Sequence, residues 1–201
     1  ATVAEVYDYY QQQEMATLPK QPGTEYTSVI INPGFELGTT DGWTVKTKGD
    51  DTGVRSTASS LYAYLGTEGD YLFNTWAPRV TTLDVSQTVS GLPNGYYTMS
   101  AQVAGYGDAS PIALTANRTT VTVSPTNTDV EAEVANGHEL LAEQVVVTDG
   151  TLTITVSNTG KGYTFFKADA LKLTLTGLYE PLDNYIDLVY EVNMENEAVS
   201  Q

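Results

Sequence analysis

The chain has 201 residues and a mass of 21.7 kDa, enough for one domain of ordinary size with a well-buried core. Hydrophobic residues at 41% against charged residues at 17% exclude general disorder. Nine basic residues against 25 acidic ones leave a formal net charge of -16, which repels nucleic acid and anionic membrane surfaces, and the lack of cysteine excludes disulfides, thiolate metal sites and a cysteine nucleophile.

The first element is a helix from Val3 to about Met15, where Val3, Val6, Tyr7, Tyr10 and Met15 fall at mostly helical spacing. Pro19, Pro22 and Gly23 then interrupt regular structure, making residues 18–26 a linker or a strap across the body. From Thr27 to Gly177 the chain is rich in Thr, Val, Ser, Tyr and Gly, with Pro-Gly, Asp-Gly and Asn-Gly turns between short runs. This texture predicts an all-β, antiparallel two-sheet sandwich.

Strands are expected at Thr27–Ile31, Thr44–Lys48, Leu61–Leu65, Thr82–Val89, Gly95–Gly105, Ile112–Ala116, Val121–Val123, Glu139–Thr148, Thr151–Ser157 and Phe165–Leu175. Alternation assigns Tyr97, Met99, Ala101 and Val103 to one face, with Tyr96, Thr98, Ser100, Gln102 and Tyr106 on the other. Leu152, Ile154 and Val156 repeat the pattern, as do Leu171, Leu173 and Leu175. After Gly177, Pro181 suits a first helical turn, and Leu182, Tyr185, Ile186, Val189 and Val192 form an amphipathic stripe. That last segment, 178–201, is either a closing helix of this domain or the start of a next module. No apolar run approaches the roughly 20 residues of a membrane span. The opening at Ala1 without methionine suggests an excised piece from which a secretion signal has been removed.

Four segments carry more information together than apart: Asn32-Pro33-Gly34-Phe35-Glu36 followed by Trp43; Gln87-Thr88-Val89 running into Gly91-Leu92-Pro93-Asn94-Gly95; Asp149-Gly150-Thr151-Leu152; and Ala168-Asp169-Ala170-Leu171. Their succession over about Val29 to Gly177 resembles the galactose-binding-like jelly rolls found as carbohydrate-binding modules of families such as 4, 9 and 22, especially those attached to polysaccharide-degrading proteins of gut Bacteroidetes. Where that family usually carries a tryptophan before the closing strand, this chain has Tyr163, Phe165 and Phe166. The resemblance implies a jelly roll with short flanking helices and a structural calcium ion held by Glu36 and Asp169. Asp50 and Asp51 are weaker candidates for a metal, and turn formation accounts for them as well.

Sugar sites set flat aromatic faces against pyranose C–H faces and bond the hydroxyls with polar side chains. If Leu61, Ala63 and Leu65 face inward, Tyr62 and Tyr64 face outward beside Gln102 and Tyr106. Trp76 and Arg79 join them from a loop-like stretch at residues 71–79. Each of the six has a structural reading of its own, as a half-buried strand residue or an end plug. Catalytic signals are poor: His138 is the only histidine, beside an Asn-Gly turn and expected as a solvent-exposed turn residue, and no nucleophile elbow, phosphate loop or dinucleotide fingerprint occurs. The Asn117-Arg118-Thr119 sequon is discounted as a chance match. The expected function is non-catalytic polysaccharide or oligosaccharide binding at an extracellular or cell-surface location, beside neighbouring modules of the same polypeptide. The alternatives are a structural or protein-interaction sandwich and, less readily, a glycan-cleaving enzyme.

Overall fold

The structure, a computed structural model, describes residues 1–46, 50–77, 83–125, 127, 135–158, 164–179 and 182–199. Helix α1 (Val3–Thr17) begins with a capping box in which the Thr2 side chain accepts from the Glu5 amide and the Glu5 carboxylate accepts from the Thr2 amide. It lies against the body through buried Met15 and through Gln11, whose side-chain amide donates to the Val29 carbonyl at 2.8 Å. The strap that follows adds no strand: Thr27–Val29 is a turn of 3-10 helix in place of the expected strand. Here a buried side chain substitutes for a ladder, because the Gln87 amide exchanges bonds of 2.7 and 2.8 Å with the Ile31 backbone.

Among the described residues ten strands build the body: β1 (Thr44–Lys46), β2 (Asp51–Ser56), β3 (Tyr71–Ala77), β4 (Leu83–Val89), β5 (Gly95–Gly105), β6 (Ile112–Ala116), β7 (Thr119–Val123), β8 (His138–Val147), β9 (Leu152–Asn158) and β10 (Thr164–Leu178). They form two antiparallel five-stranded sheets, ordered β1-β4-β9-β6-β7 and β2-β3-β10-β5-β8. This is the expected jelly-roll sandwich. Its core interleaves Val85, Val89, Leu152, Ile154 and Val156 of the first sheet with Tyr97, Met99, Val103, Phe73, Phe166 and Leu173 of the second.

Two bulges reset the parity of the second sheet. On β10 the core positions Phe166 and Ala168 give way to Leu171, Leu173 and Leu175, across a register shift at Ala170, which has φ 49°. On β8, Leu140 and Ala142 give way to Val145 and Val147 around Gln144, at φ 55°. Helix α2 (Leu182–Val199) follows, and from Val189 onward its residues are exposed. No helix among the described residues is long and apolar enough to cross a membrane.

Three further sequence expectations are corrected. The segment Leu61–Leu65 is a turn with a single bridge from Tyr64 to Ala135, not a strand, and its parity is reversed: Leu61 and Leu65 are exposed while Tyr64 is buried. Conversely, residues 71–77 are a strand and not a loop. Both faces of β3 are covered, so Leu72, Phe73, Asn74 and Thr75 are all buried and no apolar-polar alternation marks the run. His138 opens β8 opposite Val103 and is half-buried, where a solvent-exposed turn residue was expected.

Candidate functional site

The outer face of the β2-β3-β10-β5-β8 sheet carries a second, small apolar cluster of Tyr64, Leu72, Ala104, Tyr106 and Ala135, with Tyr62 and Phe165 packed on it. The segment 57–70 lies across this face, held by Leu65, whose amide donates to the Ala135 carbonyl at 2.8 Å. Beside the cluster opens a cavity of about 400 Å³ lined by Asp51, Leu61, Tyr62, Asn74, Trp76, Phe165 and Lys167. Strand register makes this grouping: Asp51 pairs with Trp76 and Trp76 with Phe165, while one step along Asn74 pairs with Lys167.

Trp76 stays 37% exposed at the rim, leaving an indole face available. Asp51 ties the polar wall together. Its Oδ1 accepts from Arg55 Nε at 3.1 Å and is ion-paired with Arg55 Nη2; its Oδ2 accepts from Tyr62 Oη and Asn74 Nδ2, both at 3.2 Å. Burial opposes the Arg55 charge, but the bonds and charge of Asp51 outweigh it and hold the guanidinium above its ordinary range.

Lys167, 1% exposed, forms the floor. Its ammonium donates to the Leu61 carbonyl at 2.7 Å and to Tyr106 Oη at 3.2 Å, and lies 4.8 and 5.6 Å from the ring centres of Tyr106 and Tyr62. Burial lowers it to about 8, with Asp51 opposing. Tyr106 stacks on Phe165 at 4.6 Å, and burial pushes its hydroxyl up to about 12.

The six sequence-derived ligand candidates therefore part company. Tyr62 and Trp76 line the cavity. Tyr106 faces the expected way but is 3% exposed, because Phe165 and the crossing segment cover it. Tyr64 is buried, donating its hydroxyl to the Gln102 carbonyl at 2.8 Å, and Gln102 lies beneath Gly66, so these two sit under the segment and outside the cavity lining. Arg79 and Tyr163 lie outside the described residues. The sequence reading missed Asn74, Phe165 and Lys167 as cavity residues and offered Asp51 only as a weaker metal candidate or a turn former. Strand pairing opposite Trp76 is what collects them.

Glu36 and Asp169 both lie beside Gly34. A methyl added at Gly34 would lie 3.4 Å from Asp169 Oδ1 and 3.8 Å from Glu36 Oε1. Asp169 accepts from the Ala170 and Glu68 amides at 2.7 and 2.9 Å, and Glu36 from the Asp70 and Tyr71 amides at 2.9 and 3.3 Å. Burial, with the charges of Glu36 and Glu68, raises Asp169 to about 7 against those amide bonds. Two converging carboxylates fit a hard cation in donor type. No group of three or more acidic, histidine or cysteine residues suited to a metal occurs among the described residues, so backbone carbonyls or water would complete the coordination.

No protein-family model and no curated protein matches the chain. Among solved structures it is similar to TmCBM61, determined in complex with β-1,4-galactotriose: 26% identical over 72% of this chain and 96% of that one, with a TM-score of 0.56. It is also similar to the CBM22-1 xylan-binding domain of Paenibacillus barcinonensis, 17% identical over 80% of this chain and 100% of that one, with a TM-score of 0.49. The sandwich has the fold of a galactose-binding-like carbohydrate-binding module.

Proposed function

We propose that the chain is a non-catalytic carbohydrate-binding module of an extracellular bacterial protein that degrades or captures glycans. The observation that carries this reading is the cavity beside Trp76, where aromatic faces stand next to a fixed polar wall on a sheet face that the segment 57–70 partly covers. That combination suits a sugar ring, which offers C–H faces and hydroxyls together. Similarity to TmCBM61 supports the same class. Asp51 is the one carboxylate among the described lining residues and is committed to Arg55, which favours binding over the paired-carboxylate chemistry of glycoside cleavage. So open a site gives weak affinity, about micromolar to millimolar.

Affinity electrophoresis and calorimetry against neutral and acidic plant and mucin glycans test the reading. Trp76→Ala should weaken binding by about tenfold or more with an unchanged melting temperature. Absence of binding to every glycan would refute it.

The second reading, a protein-interaction sandwich, is favoured by one feature: Val189, Tyr190, Val192 and Met194 of α2 are all exposed. Light scattering over a range of concentrations tests it, and a monomer throughout would count against self-association.

A further inference from the structure

Resting on the carbohydrate-binding reading, we infer that the cavity takes the terminal residue of a glycan chain and not the residues of its interior, because the segment 57–70 and Tyr106 wall the cavity off from the rest of the sheet face. The segment is an excursion whose ends are joined: Thr57 donates its amide to the Asp70 carbonyl and its hydroxyl to the Gly69 carbonyl, both at 2.9 Å. Between those ends it is fastened to the face at successive points. The Leu61 carbonyl accepts from Lys167 at 2.7 Å, the Tyr64 hydroxyl donates to the Gln102 carbonyl at 2.8 Å, and the Glu68 amide donates to Asp169 at 2.9 Å. At Gly66 an added methyl would already lie 2.7 Å from Gln102 Oε1, so no sugar ring passes between segment and sheet there.

Both inward directions from Trp76 are therefore blocked. Along β3 the next outward positions, Asn74 and Leu72, are 1% and 0% exposed, and Leu61 and Tyr62 stand over that end of the cavity. Across the strands Trp76 pairs with Phe165, Phe165 stacks on Tyr106 at 4.6 Å, and Tyr106 is 3% exposed. Beside Tyr106, Asn127 is fixed by the Gly107 amide at 2.7 Å and by its own bonds to the Gly105 and Asn136 carbonyls at 3.1 and 3.0 Å. The way out lies over the exposed indole of Trp76 and past β2, the edge strand of its sheet. A volume of about 400 Å³ is at the small end of ligand sites. A terminal sugar has one glycosidic bond and fits such a blind corner, with its chain leaving over Trp76. An interior sugar has two, and the second would run into the wall.

The test is calorimetry on the full chain with the trisaccharide, the hexasaccharide and a soluble linear polymer of β-1,4-galactan, β-1,4-xylan and β-1,4-mannan, and of any further glycan that retards the chain, with ligand counted as chains. In a series that binds, one protein should be held per chain at every length, with a Kd per chain constant within about threefold. At fixed mass, partial hydrolysis of the polymer should raise the protein bound in proportion to the ends created. Trp76→Ala should weaken trisaccharide and polymer alike, by about tenfold or more. Several proteins on one polymer chain, binding that hydrolysis leaves unchanged or lowers, or binding at chain ends that survives Trp76→Ala would each overturn the inference and leave carbohydrate binding standing. Failure of every series, with no glycan retarding the chain, would remove the carbohydrate reading and the inference together.

Discussion

At the scale of single residues, the motifs that carry the family resemblance are structural before they are functional. Asn32, at φ 55°, donates to the Thr39 carbonyl at 2.8 Å, accepts from the Leu37 amide and offers its own carbonyl to the Trp43 indole at 2.9 Å. Asn94 accepts from the Gly150 amide at 2.8 Å, which joins the Pro-Asn-Gly turn to the Asp-Gly turn. Asn117 shows the same economy, with its side-chain amide fully engaged. Both hydrogens of its amide are used, on the Val146 and Thr151 carbonyls at 3.0 Å each, and its oxygen accepts from the Thr153 amide at 2.9 Å. It also holds φ 52°, a left-handed conformation that asparagine tolerates better than most residues. Asn117→Ala should therefore cost about 1–3 kcal/mol, through three lost bonds and backbone strain. For a domain of this size that lowers the melting temperature by about 2–4 °C per kcal/mol, readable by calorimetry. Unchanged melting would show that water replaces the side chain.

At the scale of elements, the core was legible in the sequence and the site was not, for one physical reason. Strands with one wet face, such as β5, β4 and β9, advertise themselves by alternation, and their expected limits match the observed ones to within one residue. β3 lies between the core and the crossing segment 57–70, so its burial erases the alternation; β2, short and half-buried up to an exposed Ser56, has none either. The cavity is made from those two strands, the segment and the covered start of β10, where Phe166 to Leu171 are all buried and do not alternate, which is why Tyr62 and Trp76 could be picked as aromatics while Asn74 and Lys167 could not. The segment depends on close backbone approach. At Gly137 an added methyl would sit 1.9 Å from the Leu65 carbonyl oxygen and 3.0 Å from the Tyr64 ring. Gly137→Ala should displace residues 64 and 65, lower stability by about 1–3 kcal/mol and weaken sugar binding through Tyr62. Intact affinity with lowered melting would uncouple the Tyr62 wall from the Gly137 contact.

At the scale of the whole molecule, two linked equilibria should report on the sandwich. The first is alkaline. Tyr97, bonded to the Pro93 carbonyl at 2.7 Å and edge-on to Tyr26, is held well above the usual phenol range by burial and then by its neighbour Tyr26, and Tyr26 is itself raised by burial. A raised folded-state value means stability is fully present below the unfolded value of about 10 and is lost as pH climbs beyond it. Phenolate absorbance should thus rise in two stages, exposed tyrosines first and the buried set only with cooperative unfolding; a single stage at constant circular dichroism would contradict the burial. The second is ionic, and it is where the proposed calcium ion would matter. Glu36 comes from the opening loop and Asp169 from the bulge of β10, so a cation bound by both would fasten the start of the body to its last strand and have no such site in the unfolded chain. Binding only to the folded state stabilises by about 2.7 kcal/mol when free calcium is a hundredfold above its dissociation constant. At about 2–4 °C per kcal/mol the melting temperature should rise by roughly 5–10 °C and fall back on chelation. Glu36→Gln keeps the oxygen for one of the two amides, Asp70 or Tyr71, and loses the other bond along with the charge, so it should abolish most of the calcium response at a small cost in stability and leave sugar binding at the Trp76 cavity unchanged. Because each carboxylate already accepts two amide N–H bonds, identical melting curves in calcium and in chelator would mean that those four amides are the whole of the fastening.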